Sequence, residues 1–205
     1  MPKSLTDEPL MLFETSVVWS SWLAKHGSSS KGVWLRLAKK NSGATSVTYA
    51  EAVEVALCHG WIDGHKKADD ERFWLQRFTP RSTKSIWSKI NRGKALVLIE
   101  QGKMRAAGLR EIQRAKDDGR WEGAYDSPSV ASVPDDFQAA LDGNRKAKAF
   151  FATLDGANRY AMLFRIQNVK KAETRANKIL QFVRMLENHE TIHAPRKRAP
   201  RAAGK

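Results

Sequence analysis

Residues 78–92 contain a dense group of side chains that could bind an anion. The segment reads FTPRSTKSIWSKINR, so that hydroxyl groups stand among cations and one indole. The pattern predicts the end of a strand, then a loop and then the start of a helix. Free N–H groups and the positive end of a helix dipole favour an anion at such a place. Arg81 or Lys84 would add charge-assisted hydrogen bonds to it.

The helix that follows this loop is expected to cover about residues 85–101. In such a helix Lys84, Ser88 and Asn91 have the spacing i, i+4, i+7, so one face could present all three to a bound group. A simpler interpretation is also open. A hydroxyl within residues 82–85 would then only cap the helix, and the cations would face water.

A β-hairpin is predicted immediately before this segment. Residues 61–67 and 72–78 are the strands, and the polar letters ADDE between them suit a turn. Side chains alternate between the two faces of a strand, so Trp61, Asp63 and His65 are expected to share a face. That would bring an indole, a carboxylate and an imidazole together.

Two interpretations of this hairpin stay open. Asp63 and His65 would be a general acid–base pair of an enzyme, with Arg81 as a clamp for the substrate, although no nucleophile stands beside them. Alternatively, Asp63 lies across from Gln76 or Arg77, and a cross-strand pair with the arginine only holds the hairpin together.

The pair Cys58 and His59 suggests a Cys/His nucleophile, but Cys58 lies next to the apolar stripe of a predicted helix. A lone thiol there is usually part of the core. The chain has no CxxC or HExxH motif, no Walker loop, and no ligand spacing among its five histidines. We therefore expect neither a metal nor a cofactor.

Seven tryptophans are many for 205 residues. Trp74 and Trp87, together with Arg81, would suit a platform on which nucleic-acid bases stack. Burial is the commoner fate of an indole, because it removes a large area from water. Most of the seven are expected to lie inside.

The remaining patterns predict an α+β fold with a small antiparallel sheet of about three strands, packed by helices. Residues 32–38 are the third strand candidate. Apolar residues spaced i, i+3, i+4 behind Ser16 predict a short helix. Thr48 and Glu51 have the spacing of a capping box, so a second helix should run to about His59.

The C-terminal half is predicted to be helical. After a helix over residues 105–118, residues 126–134 are small, polar and bounded by proline, which is typical of a linker or loop. Three helices are expected beyond it. These patterns predict an α+β body over residues 1–126, a helical unit packed on it over residues 134–190, and a disordered basic tail over residues 191–205.

The charge balance favours anionic partners. Lys and Arg number 36 against 22 Asp and Glu, which gives a net charge of +14. Such an excess attracts nucleic acid, phosphorylated metabolites or acidic membrane surfaces, although a solvated basic surface gives the same count. An anionic ligand or nucleic acid is the expected partner, and monomer and homodimer both stay open.

The location is expected to be cytoplasmic. Cys58 is the only cysteine, so no disulfide within the chain is needed. The first residues include Asp7, Glu8 and Glu14, and therefore lack the uninterrupted apolar core of a secretory signal. The longest aliphatic run, residues 95–99, is too short to cross a bilayer.

Several strings resemble the bacterial YdeI/OmpD-associated family, also labelled bacteriocin-protection proteins. The resemblance extends over about residues 13–187. It implies protection against bacteriocins or antimicrobial peptides and association with an outer-membrane porin, and it assigns no catalytic residue. The matching strings are ALCHGWIDG (56–64), FTPR (78–81), KSIWSKIN (84–91), GRW (119–121) with AYD (124–126), and ETRA (173–176).

We therefore expect a basic bacterial protein of bacteriocin-protection or stress-resistance type that binds an anionic, phosphate-bearing ligand where the hairpin meets the helix. An enzyme that uses Asp63, His65 and Arg81, a nucleic-acid-binding protein and a protein-binding module are the alternatives, so catalysis stays an open question. The candidate ligand-binding residues are Trp61, Asp63, His65, Arg77, Arg81, Lys84, Ser85, Trp87, Ser88 and Asn91.

Overall fold

The computed structural model describes residues 8–194. The chain divides into two compact units, residues 1–124 and residues 125–205. Each unit has its own apolar core. Within the described residues the structure has eight helices and one four-stranded sheet, which confirms the α+β prediction. The packing of a helical unit on an α+β body stays a prediction.

The sheet belongs to the N-terminal unit. The strands are β1 (Leu10–Met11), β2 (Val33–Ala38), β3 (Trp61–Ala68) and β4 (Phe73–Pro80). The predicted antiparallel trio is β2-β4-β3, and β1 adds a two-residue parallel strand at the edge beside β2. Val33, Leu35 and Leu37 alternate along β2 and join the apolar core, as the period of two in a strand requires.

Four helices complete this unit: α1 (Ser16–His26), α2 (Tyr49–Cys58), α3 (Lys89–Glu100) and α4 (Ala106–Asp117). The predicted capping box at the start of α2 is confirmed. The Thr48 hydroxyl accepts from the Glu51 N–H, and the Glu51 carboxylate accepts from the Thr48 N–H at 2.9 Å. The cap fixes the first turn of α2 because it satisfies N–H groups that have no partner inside the helix.

The start of α3 differs from the sequence prediction. The helix begins at Lys89 and not near residue 85, because the Ser88 hydroxyl is the N-cap and accepts from the Asn91 N–H at 3.1 Å. Residues 81–87 have no helical structure and contain one turn, at residues 83–84. Lys84 therefore lies outside the helix, and the prediction that Lys84, Ser88 and Asn91 share one helix face was wrong.

The pairing of the hairpin also differs from expectation. Asp63 lies opposite Phe78, and not opposite Gln76 or Arg77, because the last pair before the turn is Ala68 with Trp74 and not Lys67 with Arg72. A change in where a hairpin closes alters every pair along its strands, and a propensity pattern does not reveal it. The predicted cross-strand pair of Asp63 and Arg77 was wrong.

Most of the tryptophans are in the core, as expected. Trp19, Trp61 and Trp87 are at most 1% exposed. Trp34 and Trp121 are also buried, whereas Trp22 and Trp74 are half-buried. The indoles of Trp19 and Trp61 meet edge to face at 6.3 Å, an arrangement that aromatic pairs prefer.

The C-terminal unit contains four helices in its described part, where three were predicted: α5 (Asp135–Asp142), α6 (Arg145–Thr153), α7 (Gly156–Gln167) and α8 (Ala172–Glu187). The additional helix is α5. It contributes Phe137 and Leu141 to the apolar core. Two large apolar residues directly after a proline-bounded loop were too few to mark a helix in the sequence.

The disordered tail was predicted to start at residue 191, but residues 191–194 have defined contacts. The His193 N–H donates to Asn158 Oδ1 at 2.8 Å, and Asn158 Nδ2 donates to the carbonyl of His193 at 3.2 Å. Asn158 is buried in α7, so this exchange satisfies a polar group that burial would otherwise destabilise. The rest of the predicted tail lies outside the described residues.

Candidate functional site

The first three candidate residues lie in different environments. Trp61 is fully buried, and its indole N–H donates to the carbonyl of Gly27 at 3.2 Å. Asp63 accepts a hydrogen bond from the hydroxyl of Tyr49 at 2.7 Å. His65 is exposed. These three side chains therefore do not form the close indole–carboxylate–imidazole cluster that the alternation predicted.

Arg77 lies on the face of the sheet that is opposite to the core. It sits opposite Trp34 on β2 and forms an ion pair with Glu8, in which its Nε donates to the carboxylate at 2.7 Å. This hydrogen bond lowers the pKa of Glu8, against a smaller effect of burial. Arg77 is thus engaged by a carboxylate and points away from the other candidates.

Arg81 and Trp87 do come together. The guanidinium carbon of Arg81 lies 3.6 Å from the centre of the Trp87 ring, and Nη1 donates to the carbonyl of Ile86 at 3.3 Å. Both side chains are buried, at 5% and 1% exposure. A cation held against an indole face stabilises the fold, and here it covers the ring that a nucleic-acid base would need.

The remaining candidates serve the local turn and the helix start. Ser85 Oγ accepts from the Ser82 N–H at 2.9 Å, and Ser88 is the N-cap already described for Asn91. Lys84 is exposed. The ten predicted residues consequently do not meet at one point, and their role in ligand binding stays a prediction.

Three further arginines hold residues 78–92, which we call the junction, to the rest of the unit. Arg120 is 7% exposed, donates to the carbonyl of Ser85 at 2.7 Å and pairs with Asp118. Arg114 donates to the carbonyl of Arg81 at 3.3 Å. Arg92, inside the junction, donates to the carbonyl of Trp121 at 3.1 Å. These arginine side chains therefore donate to backbone carbonyls and hold the backbone in place.

A small cavity of about 320 Å³ does include two of the predicted residues, Trp61 and Arg81. His59, Arg110 and Glu111 also line it. Glu111 already forms an ion pair with Arg114 on the same helix. We call this space the junction cavity.

A larger cavity of about 620 Å³ lies between α1, α2 and the segment that joins α3 to α4. We call it the α1–α2 cavity. Its lining combines hydroxyls, acids, cations and one thiol, and none of its residues was among the predicted site residues. The polar and charged members are Ser16, Ser20, Ser21, Glu51, Glu54, Cys58, Lys103 and Arg105.

Close packing of α4 against the end of α2 shapes this cavity. The Arg105 N–H donates to the carbonyl of Cys58 at 3.1 Å. Gly60 has a φ of +74°, and a Cβ there would lie 2.9 Å from the carbonyl oxygen of Ala107. A side chain at residue 60 would be strained and would push α4 away, so glycine allows the helix to approach.

The acids of the α1–α2 cavity have side-chain partners, whereas its cations form no ion pair with the part of the chain that the structure describes. Glu51 is bound to Thr48 in the capping box, and Glu54 pairs with Lys94 at 3.0 Å. Neither Lys103 nor Arg105 forms an ion pair with any acidic side chain among residues 8–194. Both are exposed at the cavity. The cavity lining therefore holds two carboxylates that already have partners and two cations that are open to an anion, beside the serines of α1.

The positive charge acts on the groups at the end of α2. Burial raises the pKa of the Cys58 thiol, and the charge of Arg105 only partly opposes this. Burial lowers the pKa of His59, and Arg105 lowers it further. His59 Nε2 lies 3.0 Å from the hydroxyl oxygen of Ser20, so the imidazole contacts a serine and not the neighbouring thiol.

Little in the amino-acid sequence indicated this cavity. Its lining comes from residues 16–21, 51–58 and 98–105, which are far apart in the chain. The spacing of Ser16 and Ser20, i and i+4, places both hydroxyls on one face of α1 and was the one available signal. Which helix that face would meet depends on packing.

Comparison with known families assigns the two halves of the chain differently. Residues 130–189 match a family model described as bacteriocin-protection, YdeI or OmpD-associated. Residues 130–189 are therefore similar to YdeI/OmpD-associated proteins. This confirms the family resemblance for the C-terminal unit, and it makes the chain similar to proteins of the bacteriocin-protection type.

The N-terminal unit matches a different model. Residues 11–111 are similar to a family described as a domain of unknown function, DUF8412. The strings WIDG and FTPR lie in that range and outside the YdeI/OmpD-associated match. No curated protein and no solved structure matches the chain.

Two general properties limit the chemistry of the described residues. Between residues 8 and 194 there is no group of three or more His, Cys, Asp or Glu side chains that could hold a metal ion. In the same range, no helix has the length and apolar character needed to span a membrane.

Proposed function

We propose that this bacteriocin-protection-type protein acts in the cytoplasm and binds a small ligand with a phosphate or carboxylate group in the α1–α2 cavity. One observation carries the proposal. Lys103 and Arg105 line a cavity of about 620 Å³ without an ion pair among the described residues, while the acids beside them are engaged. An anionic group bound there would form ion pairs with these two cations.

Hydroxyl groups support the choice of an oxyanion as ligand. Ser16 and Ser20 lie on the same side of α1 and line the cavity together with the two cations. Serine hydroxyls donate to phosphate and carboxylate oxygens, and cations add charge-assisted bonds that are about twice as strong as neutral ones. The net charge of +14 would in addition steer anions towards the protein.

The junction is less suited to this role. Arg77 pairs with Glu8, Arg92 donates to Trp121, and Arg81 covers the ring of Trp87. A ligand would have to displace contacts that hold the fold. The proposed anion site therefore moves from the junction to the α1–α2 cavity.

The thiol of Cys58 supports the proposed cytoplasmic location. It is buried and unpaired, and the chain has no second cysteine with which it could form a disulfide. A fold that needs no disulfide is suited to a reducing compartment. Fractionation of cells that express the full chain would test the location, and recovery in the periplasmic fraction would contradict it.

Isothermal titration with inorganic pyrophosphate and with citrate tests the ligand site. Replacing Arg105 by Gln is expected to weaken binding about tenfold or more, because a hydrogen bond to a charged group contributes roughly 1.5–3 kcal/mol. Lys103→Gln is expected to act in the same direction. The comparison of the two probes shows whether the site prefers phosphate or carboxylate.

Arg110→Gln is the matched control, because Arg110 is an exposed arginine that lines the junction cavity instead. It should leave affinity unchanged. Equal losses in Arg105→Gln and Arg110→Gln would show that overall charge, and not the α1–α2 cavity, governs binding. A labelled oligonucleotide that binds more tightly than pyrophosphate, with a steep salt dependence, would favour nucleic acid as the partner.

A further inference from the structure

A serine that lines the α1–α2 cavity lies beside a histidine that lines the junction cavity. Ser20 on α1 lines the α1–α2 cavity, and its hydroxyl oxygen lies 3.0 Å from Nε2 of His59 at the end of α2. A serine within hydrogen-bond reach of an imidazole is the arrangement by which proteins activate a hydroxyl as a nucleophile. We propose that Ser20 is a nucleophile and that His59 is its general base in an ester-cleaving reaction.

The neighbouring serine shows why Ser20 is singled out. Ser21 lines the same cavity, but its hydroxyl donates to the carbonyl of Val17 at 3.0 Å within α1. A carbonyl cannot remove the proton, so Ser21 stays an ordinary hydroxyl. Ser20 instead faces an imidazole nitrogen of His59, which can accept the proton. The two serines lie on the same helix and differ in this hydrogen-bond partner.

The surroundings keep His59 suited to this role. Its ring is half-buried, and burial together with the charge of Arg105 lowers its pKa. The imidazole is therefore neutral near pH 7 and free to accept a proton. The same cation would stabilise negative charge that develops on a substrate oxygen beside Ser20.

Cys58 is the competing nucleophile, and its environment disfavours it. The thiol is 7% exposed, and burial raises its pKa. The charge of Arg105 opposes this effect, and Glu54 reinforces it. The thiolate is the reactive form of cysteine, so a buried thiol with a raised pKa is inert.

The reaction can be written with ordinary acyl transfer. Ser20 Oγ forms a bond to the carbonyl carbon, its proton passes to His59 Nε2, and the ester C–O bond breaks as the leaving alcohol takes that proton. Water then attacks the acyl-serine, gives a proton to His59 and releases the acid, while the proton returns to Ser20. The substrate class is an ester with a phosphate or carboxylate group that Lys103 and Arg105 would bind, and this part of the inference rests on the proposed function.

An alkyl fluorophosphonate tests the nucleophile without any knowledge of the substrate. Attack by Ser20 Oγ would form a P–O bond and expel fluoride, while the hydroxyl proton passes to His59. Incubation of the full chain, followed by digestion and mass spectrometry, is expected to locate the adduct on Ser20. Ser20→Ala should abolish it, and His59→Gln should slow its formation about 100-fold or more.

Ser21→Ala and Cys58→Ala are the matched controls and should label like the unchanged protein. Absence of an adduct in the unchanged protein, or an adduct on another residue, would overturn the proposal even if a variant failed to fold. Labelling of His59→Gln at an unchanged rate would overturn the role of the base. The probe is uncharged, so its reaction does not need the anion site. If the unchanged protein is labelled at Ser20 but does not bind pyrophosphate, only the proposed anion site is contradicted. If it binds pyrophosphate but is not labelled, only the proposed nucleophile is contradicted.

Discussion

The junction and the α1–α2 cavity both contain cations and serine hydroxyls, but they use them differently. In the junction, Arg81 covers the Trp87 ring and Arg92 donates to a backbone carbonyl. In the cavity, Lys103 and Arg105 have no ion pair within residues 8–194. The junction was more conspicuous in the sequence, yet its polar groups hold the fold. A dense local pattern is thus a poor guide to a site when the partners of its side chains are distant in the chain.

The strongest test of a structural junction is the replacement of Trp87 by Ala. Trp87 is 1% exposed and lies 4.8 Å, edge to face, from Trp121. Loss of a buried indole is expected to lower the free energy of unfolding by about 3–5 kcal/mol. Urea denaturation measures this value. Ile86→Ala, at an exposed neighbouring residue, should cost much less, and similar losses for both would contradict the described burial.

A second test removes the arginine that holds the turn. Arg120→Ala would leave the Ser85 carbonyl and Asp118 without this partner. Loss of this buried guanidinium and its hydrogen bond to a carbonyl is expected to lower the free energy of unfolding by about 1–3 kcal/mol. Lys84→Ala, at an exposed junction cation, should change it by less than about 0.5 kcal/mol. If Lys84→Ala were the more damaging change, our comparison of the two regions would fail.

The position of the helix start can be tested by Ser88→Ala. Removal of an N-cap hydroxyl is expected to lower the free energy of unfolding by about 1 kcal/mol. Thr83→Ala is the control, because Thr83 is exposed. Loss of its hydroxyl would lower the free energy of unfolding by a similar amount only if the helix began near residue 83. Thermal or chemical denaturation of Ser88→Ala and Thr83→Ala compares the two starts directly.

The ion pair of Arg77 predicts a pH dependence. The folded state lowers the pKa of Glu8 below its ordinary value of 4.5, because the carboxylate accepts hydrogen bonds from Arg77. The pair therefore stabilises the fold above about pH 4.5 and loses this effect as the pH falls through the lower, folded-state pKa. Unfolding of Glu8→Gln and the unchanged protein should differ by up to about 1 kcal/mol at pH 7 and converge at acidic pH.

The smallest stability effect is expected in the cavity. Lys103→Gln and Arg105→Gln should each change the free energy of unfolding by less than about 0.5 kcal/mol, because neither side chain is engaged in an ion pair. Denaturation of these variants beside Arg120→Ala would show whether the cavity cations are free for a ligand. A large loss in Arg105→Gln would indicate that this residue, too, serves the fold.

Prediction from the sequence succeeded where a short pattern carries its own partners. The capping box of Thr48 and Glu51 and the apolar alternation of β2 form as expected. Prediction failed at Asp63, because the hairpin closes between Ala68 and Trp74 and this changes the pairing along both strands. It also failed at residues 85–88, where Ser88 caps the helix and a distant arginine binds the carbonyl of Ser85.

The candidate site was less predictable than the fold. The sequence directed attention to Arg81 and Lys84. The structure instead places Ser20 and Arg105 at the α1–α2 cavity and brings His59, which lines the junction cavity, within 3.0 Å of the Ser20 hydroxyl oxygen. No local spacing relates these residues. The closest signal was the adjacent pair Cys58 and His59, but the imidazole turns to Ser20.

The amino-acid sequence by itself determined the α+β class, the basic charge, most helix and strand positions and the family resemblance of the C-terminal unit. These properties depend on side-chain period, capping and composition, which act over a few residues. Only the tertiary structure decided which charges are neutralised, because an ion pair or a cavity is formed by residues that meet after the chain has folded. Arg77 beside Glu8 and Arg105 beside an open cavity differ for that reason.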